Sequence, residues 1–453
     1  MTLDTLRAPR ALALCALALF ACDDGDDSGV TGTADADVNG EGVAACPAPS
    51  GPAIVHDANA PIEADETWAG DGAIHEVPSS LAIRGATLTI EPCAYVRLGP
   101  EASLQLTEVE AGPANLWAHG EADHPVVFQR LDAARAWGAI SSVYASSGVD
   151  LEHVRLVGGG ATAATPAVID LRGTDTAWST PILRAAHVII DGSESGGVAL
   201  TLSAGFTPDS DDLTVTGTGS VQAAPAVRVG LAGAGSVPVG AYTGNAVDAI
   251  AVAPGTWMAG DATLPARGVP VAVEGDIRVY DPFGGATPTL TVEAGATVTM
   301  IGRIEVGDDP MHAGVLRVEG TAPAPVRFTS ASDTPAPGDW VGFYFEAAAG
   351  SRLSHVDLAY AGGDNQLTSA NCRPENSEDH AAIVLTQPAD VAFEAVSITH
   401  CGGHGINAIW SAPSFGPDLT GAFGFDDLAG CRQTRNALDA PATCTMQYGC
   451  LVD

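Results

Sequence analysis

The feature of this sequence that most constrains its fold is an internal repeat that covers most of the chain. Three segments return in the same order: LTIE at 88–91 as LTVE at 290–293, PVVF at 125–128 as PVRF at 325–328, and LEHVRL at 151–156 as LSHVDL at 353–358. The offset between the copies stays at 200–202 residues, so only a few residues have been gained or lost, as happens at turns between fixed strands. The sequence therefore predicts a duplicated array of strands that share one continuous core.

Short runs of alternating apolar residues follow one another from Trp68 onward, each closed by Gly, Pro, Asp or Asn. Such runs predict β-strands, and the period of an amphipathic helix is absent. Strands this short fit either an all-β sandwich or a parallel β-helix. The runs are not joined by the two-residue Asn-Gly or Asp-Gly turns that link antiparallel hairpins. We therefore expect parallel strands stacked in a solenoid.

The motifs of the first copy follow a recognisable order: LTIEP at 88–92, Gly120 before the PVVF strand, Trp137-Gly138, and then LEHV at 151–154. This order resembles that of the right-handed parallel β-helix lipoproteins of bacterial surfaces, whose fold is pectate-lyase-like. The resemblance covers most of residues 68–410 and implies an all-β, right-handed parallel β-helix in which the two copies run on as one rod. The shared residues are coil-forming positions, so the resemblance implies a fold and leaves the activity open.

Charge narrows the choice of partners. The chain has 55 acidic residues against 19 basic ones, all of them arginine, and a formal net charge of -36. Nucleic acid is therefore not an expected partner. The absence of lysine also removes P-loop phosphate binding and Schiff-base chemistry. An acidic surface of this kind is typical of a soluble exported protein, and calcium is the one cofactor that it leaves open.

The first sixty residues carry export signals. Residues 1–21 are predicted to be a lipoprotein signal peptide, because Arg7 and Arg10 precede an apolar run too short to cross a bilayer. The run ends in LFAC at 19–22, which resembles a bacterial lipobox and makes Cys22 the candidate for acylation. Ordinary secretion without lipid is the alternative. Residues 22–60 are rich in Asp, Gly and Ala and predict a flexible acidic tether, so we expect a lipoprotein of the outer membrane or cell surface.

The repeat divides the rest of the chain. Residues 61–255 are predicted to hold the first copy of the β-helix, residues 256–425 the second, and residues 426–453 a cysteine-rich cap. Alternation continues through Val269, Val271 and Val273, which favours one uninterrupted stack. A break between Pro254 and Pro265 is the alternative, and the protein is expected to be a monomer.

Polar residues of the repeated LxHV segment are candidate ligand contacts. Alternation sends Val356 and Leu358 inward, so His355 and Asp357 are predicted to lie outside, about 7 Å apart and able to act on one ligand. A second candidate cluster contains His380, His400 and His404. Cys372 and Cys401 accompany it and could complete a zinc site, but exported cysteines are normally oxidised. We therefore expect a Cys372–Cys401 disulfide and no metal.

Seven cysteines remain after signal cleavage and acylation, so one thiol is left over. Cys93 stands where the second copy has Gly295, and its only upstream partner is Cys46. In the tail, Cys431 is expected to pair with Cys444 or Cys450, leaving the odd thiol there.

Two functions remain open. The first is binding of a glycan or an envelope protein along the lateral face of the β-helix, with no catalytic residue. The alternative is a polysaccharide lyase or hydrolase, which needs an acidic cluster that converges with an arginine. The nearest clusters, Asp209, Asp211 and Asp212 in one turn and Asp308 and Asp309 in another, offer no basic partner from a strand by sequence.

Overall fold

The structure is a computed structural model that describes residues 45–110, 112–142, 147–161, 166–175, 178–253, 257–364, 380–386, 390–411, 417–438, 446–447 and 450–451. The signal peptide, Cys22 and most of the predicted tether lie outside these residues. The described residues belong to one unit, Ala44–Asp453, and form an all-β parallel β-helix. The right-handed sense is the one expected for parallel crossovers. No helix among the described residues has the length and apolarity needed to cross a membrane.

Short strands make up nearly all of the fold. In the first half they are β1 (Ile54–Val55), β2 (Glu66–Trp68), β3 (Ile74–Val77), β4 (Leu81–Arg84), β5 (Thr87–Ile90), β6 (Tyr95–Leu98), β7 (Leu104–Thr107), β8 (Asn115–His119), β9 (Val126–Arg130), β10 (Ile140–Ser142), β11 (Gly148–Glu152), β12 (Val154–Val157), β13 (Ala167–Arg172), β14 (Thr180–Asp191), β15 (Gly196–Thr201), β16 (Ala204–Phe206), β17 (Asp211–Thr216), β18 (Pro225–Gly230), β19 (Gly240–Ala241) and β20 (Val247–Ala253). One helical turn, α1 (Leu231–Ala234), replaces a strand between β18 and β19.

In the second half the strands are β21 (Ala262–Leu264), β22 (Val271–Val273), β23 (Ile277–Val279), β24 (Thr289–Val292), β25 (Thr297–Met300), β26 (Arg303–Val306), β27 (Val315–Glu319), β28 (Val326–Ser330), β29 (Gly342–Phe345), β30 (Ser351–Ala359), β31 (Ala381–Thr386), β32 (Val391–Cys401), β33 (His404–Ser411), β34 (Phe423–Leu428), β35 (Gln433–Leu438), β36 (Met446–Gln447) and β37 (Cys450–Leu451). A 3-10 turn, Thr420–Ala422, precedes β34.

Each coil contributes strands to different sheets, and from β1 to β35 the strands pair in parallel with strands of the next coil. Leu88 of β5 pairs with Leu116 of β8, for example, and Leu290 of β24 pairs with Leu316 of β27. These residues are fully buried, in one core cluster that runs from Ile62 to Ile406. Inward side chains thus stack on like side chains about 4.8 Å away, which is why alternation was a good guide to the core.

A single residue in left-handed conformation turns the chain between two strands of a coil. His355 has φ 47° and lies inside β30, so the strand bends there and both Leu353 and Val356 point inward. His153, with φ 49°, does the same between β11 and β12. Histidine is among the residues that tolerate this region. The repeated LxHV segment is therefore a corner, which simple alternation did not predict.

The two halves form one stack, but their sheets do not continue one-to-one. β20 pairs with β22 through Ile250 and Val271. One sheet therefore contains β4, β7, β10 and β13, the third strand of successive coils in the first half, together with β22, β25 and β28, the second strand of successive coils in the second half. The sheet of β17 and β19 ends at the seam, and a new sheet begins at β23. Alternation through 269–273 thus belongs to a strand of the stack, as predicted.

Both ends of the stack differ from the sequence-based boundaries. Residues 45–60 were predicted to be tether, yet β1 pairs with β3 and Cys46 is bonded to Cys93. The disulfide holds this segment on the body. At the other end β35 is still parallel to β33, so the coils run past residue 425; only β36 and β37 turn antiparallel against β35. The capping segment is therefore shorter than predicted.

Candidate functional site

An outward-facing groove crosses successive coils of the second half. Thr263 of β21, Thr291 of β24, Arg317 of β27 and Arg352 of β30 occupy the same register on neighbouring parallel strands. Neighbours in such a row are about 4.8 Å apart. Arg317 lines two adjacent clefts of about 410 and 590 Å³. We call this row and its clefts the Thr–Arg groove.

The larger cleft is lined by charged and polar side chains of three coils. Arg352 forms an ion pair with Glu394 of β32, and Ser354 Oγ donates to Glu394 Oε2 at 3.3 Å. Ser354 Oγ also lies 3.1 Å from His355 Nδ1. The Arg352 guanidinium lowers the pKa of Glu394 below its usual range, so this carboxylate is charged at neutral pH. The cleft thus offers fixed hydrogen-bond donors and acceptors to solvent.

Arg317 differs from the other groove residues in its charge balance. It is exposed, and among the described residues no ion pair joins it to a carboxylate. Arg352 lies directly beside it across the strand pair. The cleft also contains Glu319 and Glu394, so its two guanidiniums and two carboxylates balance, on a chain whose net charge is -36. A planar guanidinium suits a carboxylate, sulfate or phosphate group.

The equivalent surface of the first copy has more carboxylates than arginines. Arg184 of β14 is bonded to Asp150, Glu152 and Asp209, each at 2.9 Å. Asp150 holds the repeat position of Arg352. The sequence-based statement that the Asp209 turn lacks a basic partner from a strand is therefore wrong, because Arg184 lies on the adjacent coil.

Arg184 itself is held in its charged form. Burial pulls its pKa down, but hydrogen bonds to Asp150 and Glu152 and their charges outweigh that effect and raise it. A guanidinium held this way keeps its proton. It is therefore a poor candidate for the base of a lyase reaction.

The structure separates the predicted ligand-binding residues. His355 lines the groove, whereas Asp357 faces the next strand, where it accepts from Ser397 Oγ at 2.9 Å and lies 3.5 Å from Arg327. The His355–Asp357 pair is therefore not a shared site.

The three remaining histidines also serve different contacts. His400 stacks on Tyr360 with ring centroids 5.1 Å apart and lies 3.7 Å from Asp427. His404 Nδ1 accepts from the Cys431 N–H at 2.8 Å. His380 Nε2 lies 3.7 Å from Asp364. They do not converge on one ligand position.

The cysteines confirm one predicted bridge and correct another. Cys46–Cys93 is a disulfide, and Cys431 is disulfide-bonded; Cys372 and the side chains of Cys444 and Cys450 lie outside the described residues. Cys401 is a free thiol, 1% exposed, and donates to the His404 carbonyl at 3.1 Å. The predicted Cys372–Cys401 bridge is therefore wrong. Cys401 is the last residue of β32 and its side chain points inward, so its sulfur packs in the core.

One group of potential metal ligands is found within the described part of the chain. Asp308, Asp309 and His312 place ligand atoms within 4.8 Å of one another. Asp309 Oδ1 already accepts from the Met311 and His312 N–H groups and lies 3.0 Å from His312 Nδ1. The carboxylate therefore closes a turn, and none of the residues predicted as a zinc alternative belongs to the group.

The fold and the groove define the class of this protein as a parallel β-helix with a lateral polar cleft. The chain itself has no significant match among protein-family models, curated proteins or solved structures.

The groove arginines escaped the analysis of the sequence, although their outward direction was readable. Arg317 alternates with the buried Leu316 and Val318, and Arg352 precedes the buried Leu353. The coil length that places these two arginines side by side could not be predicted from the sequence. That length includes an irregular turn at 331–341, whose size no local pattern specifies.

Proposed function

We propose that this protein is an exported, lipid-anchored parallel β-helix of the bacterial cell envelope that binds an anionic polysaccharide along the Thr–Arg groove. The observation that carries the proposal is the pair Arg317 and Arg352, adjacent on neighbouring strands and open to solvent. Hydroxyl side chains of Thr263 and Thr291 continue the row and suit sugar hydroxyls. An extended polymer fits a row that repeats at each coil better than a compact ligand does.

The strongly negative net charge does not oppose this proposal. At physiological ionic strength the Debye length is about 8 Å, so a bound polymer responds mainly to charges close to the groove. There Arg317 and Arg352 balance Glu319 and Glu394, and among the described residues no ion pair joins Arg317 to a carboxylate. Binding should therefore depend on these few side chains and not on the sum over the molecule.

The test is affinity electrophoresis of the purified full chain in gels that contain uronate-rich, sulfated or neutral polysaccharides. Arg317→Ala and Arg352→Ala should each weaken retardation by the anionic polymers by about tenfold, the loss typical of a charged hydrogen-bonded contact. Arg155→Ala is the matched control, because Arg155 is exposed on β12 outside the groove. Retardation that survives in the double variant, or that is equal in the control, would refute the groove as the binding site.

A polysaccharide lyase or hydrolase is the second candidate, and the Arg184 network is the observation that favours it. Three carboxylates converge there on one arginine of an outer face. Arg184 keeps its proton and engages all three, so binding is the better-supported function. Release of oligosaccharides by the protein, abolished by Asp150→Asn or Glu152→Gln, would reverse this order.

The anchor is tested separately through Cys22, on the basis of the lipobox-like LFAC segment. Several acyl chains at about 0.8 kcal/mol per buried methylene give stable membrane attachment. Cys22→Ser should therefore move the protein from the detergent phase to the aqueous phase in a partitioning experiment. Unchanged partitioning of the variant would contradict acylation at this residue.

A further inference from the structure

Three large apolar side chains are exposed at the same place on three successive coils of the second half. Trp257 is 40% exposed, Phe283 82% and Met311 76%. They lie in the turns at 257–261, 280–288 and 307–314, which precede the strands of the Thr–Arg groove; Asp261 of the first turn also lines that groove. Trp257 and Phe283 meet edge to face with centroids 6.1 Å apart. A Cβ added to Gly284 would lie 3.8 Å from the Met311 carbonyl oxygen, so the second and third turns also touch. We call these three side chains the apolar ridge.

The backbone holds this ridge outward. Asp281 accepts from the Phe283 N–H at 2.9 Å and from the Gly285 and Ala286 N–H groups at 2.8 and 3.2 Å. Asp309 repeats the arrangement one coil later, with the Met311 N–H at 2.7 Å. Both turns have the sequence Asp-Pro followed by the exposed residue. The exposure of Phe283 and Met311 is thus built into two tied turns, which lowers the entropy cost of binding there.

The turns of the ridge are rich in acidic side chains. Residues 257–261, 280–288 and 307–314 contain Asp261, Asp281, Asp308 and Asp309 and neither arginine nor lysine. On the strands that lead into two of these turns, Arg278 and Arg303 each lie within 4 Å of both Asp276 and Glu305. Both arginines are therefore engaged by carboxylates outside the three turns.

We infer that the apolar ridge is a docking site for a protein segment that carries arginine or lysine around an apolar contact. Exposed Trp, Phe and Met are the side chains that protein interfaces favour, and the aspartates complement a basic rim. An anionic lipid surface would be repelled by the same carboxylates. A second copy of this chain would set aspartate against aspartate. None of the three ridge side chains lines the groove, so this inference does not depend on polysaccharide binding.

The test measures fluorescence anisotropy of a labelled synthetic peptide in which leucine alternates with arginine, titrated with the full purified chain. We expect binding that Phe283→Ser weakens by about tenfold, as for the central residue of an interface. Val221→Ser is the control, because Val221 is 75% exposed elsewhere, and it should leave the affinity unchanged. A peptide with glutamate in place of arginine, and one with serine in place of leucine, should both bind more weakly.

Several results would overturn the inference. Equal affinity for the Phe283→Ser chain would mean that the acidic protein attracts any basic peptide. Equal binding of the serine-containing peptide would mean that the apolar contact is not used. Phe283-dependent binding of neutral oligosaccharides or of anionic lipid vesicles, with none of the basic peptide, would assign the ridge to another ligand. Phe283-dependent self-association in sedimentation would assign it to a second copy.

Discussion

His56 and His75 form the one pair of histidines joined by a hydrogen bond between their rings among the described residues. His56 Nε2 lies 3.0 Å from His75 Nδ1, and the Trp68 ring stacks on both, with centroids 4.0 and 5.0 Å away. His75 is 2% exposed, and its Nε2 lies 3.0 Å from the Ala69 carbonyl, to which only an N–H can donate. His75 Nδ1 is therefore the acceptor from the His56 Nε2–H, and a proton added to His75 Nδ1 would break this hydrogen bond.

The pH dependence of stability follows from this pair. Burial is the main cause that lowers the pKa of both histidines from the ordinary value of 6.5; the charge of His75 adds to the lowering at His56. The unfolded chain takes up protons at a higher pH than the folded one. The contribution of this pair to the free energy of unfolding is therefore fully present above pH 6.5 and is lost as the pH drops below that value. Thermal unfolding scans should show a midpoint that decreases from pH 7.5 to 5.5.

Asp170 affects the pH dependence of stability in the opposite direction, so a variant is needed to isolate the contribution of the histidines. Burial raises its pKa to about 6, so the folded chain binds this proton more readily and gains stability as the pH falls through that value. His56→Phe keeps a ring on Trp68 and removes one of the two buried histidines, so it should make the decrease smaller; His124→Phe, in a turn outside the pair, should leave it unchanged. An unchanged decrease in His56→Phe would show that other groups cause it.

At the scale of one element, the single-residue corner explains both a success and a failure of the sequence analysis. Alternation assigned Val356 and Leu358 to the core correctly, and they are 1% exposed. It did not reveal that His355 turns the strand, because a residue with positive φ leaves no signature in a pattern of apolar positions. The repeat of histidine at 153 and 355 was the available signal, and we interpreted it as chemistry. Such corners also stack, since the His153 and His187 rings are 4.5 Å apart and His187 Nδ1 lies 3.0 Å from Asp212.

A substitution at the corner tests this account. His187 has φ 54°, a region that costs a β-branched residue about 1–2 kcal/mol. His187→Val should therefore lower the denaturation midpoint by an amount that corresponds to about this loss, whereas His187→Asn should change it by less than half as much. Arg155→Val, on a neighbouring strand, supplies the control for valine on the surface. Equal effects of the valine and asparagine variants would contradict a left-handed corner at this position.

At the scale of the whole molecule, the fold was more predictable than its surface. Duplication and alternation identify a parallel stack because inward residues must match the next coil, and Leu151, Val154 and Leu156 are kept as Leu353, Val356 and Leu358. Outward residues have no such constraint. Asp150 and Arg352 occupy one repeat position with opposite charge, so the contacts between coils, and with them the groove and the apolar ridge, had to come from the structure.

The two halves of the β-helix meet at a seam, and the continuity of the fold can be tested most directly there. Val252 of β20 pairs with Val273 of β22, and both are buried. If neighbouring coils stabilise one another through this pair, the halves cannot open independently at the seam.

Native-state hydrogen exchange measures this coupling directly. The amides of β20 and β22 should be protected as strongly as those of β13 in the first half and β28 in the second, because all lie in one sheet. Fast exchange of β20 and β22, with β13 and β28 still protected, would instead show two separate bodies that divide between Pro254 and Pro265.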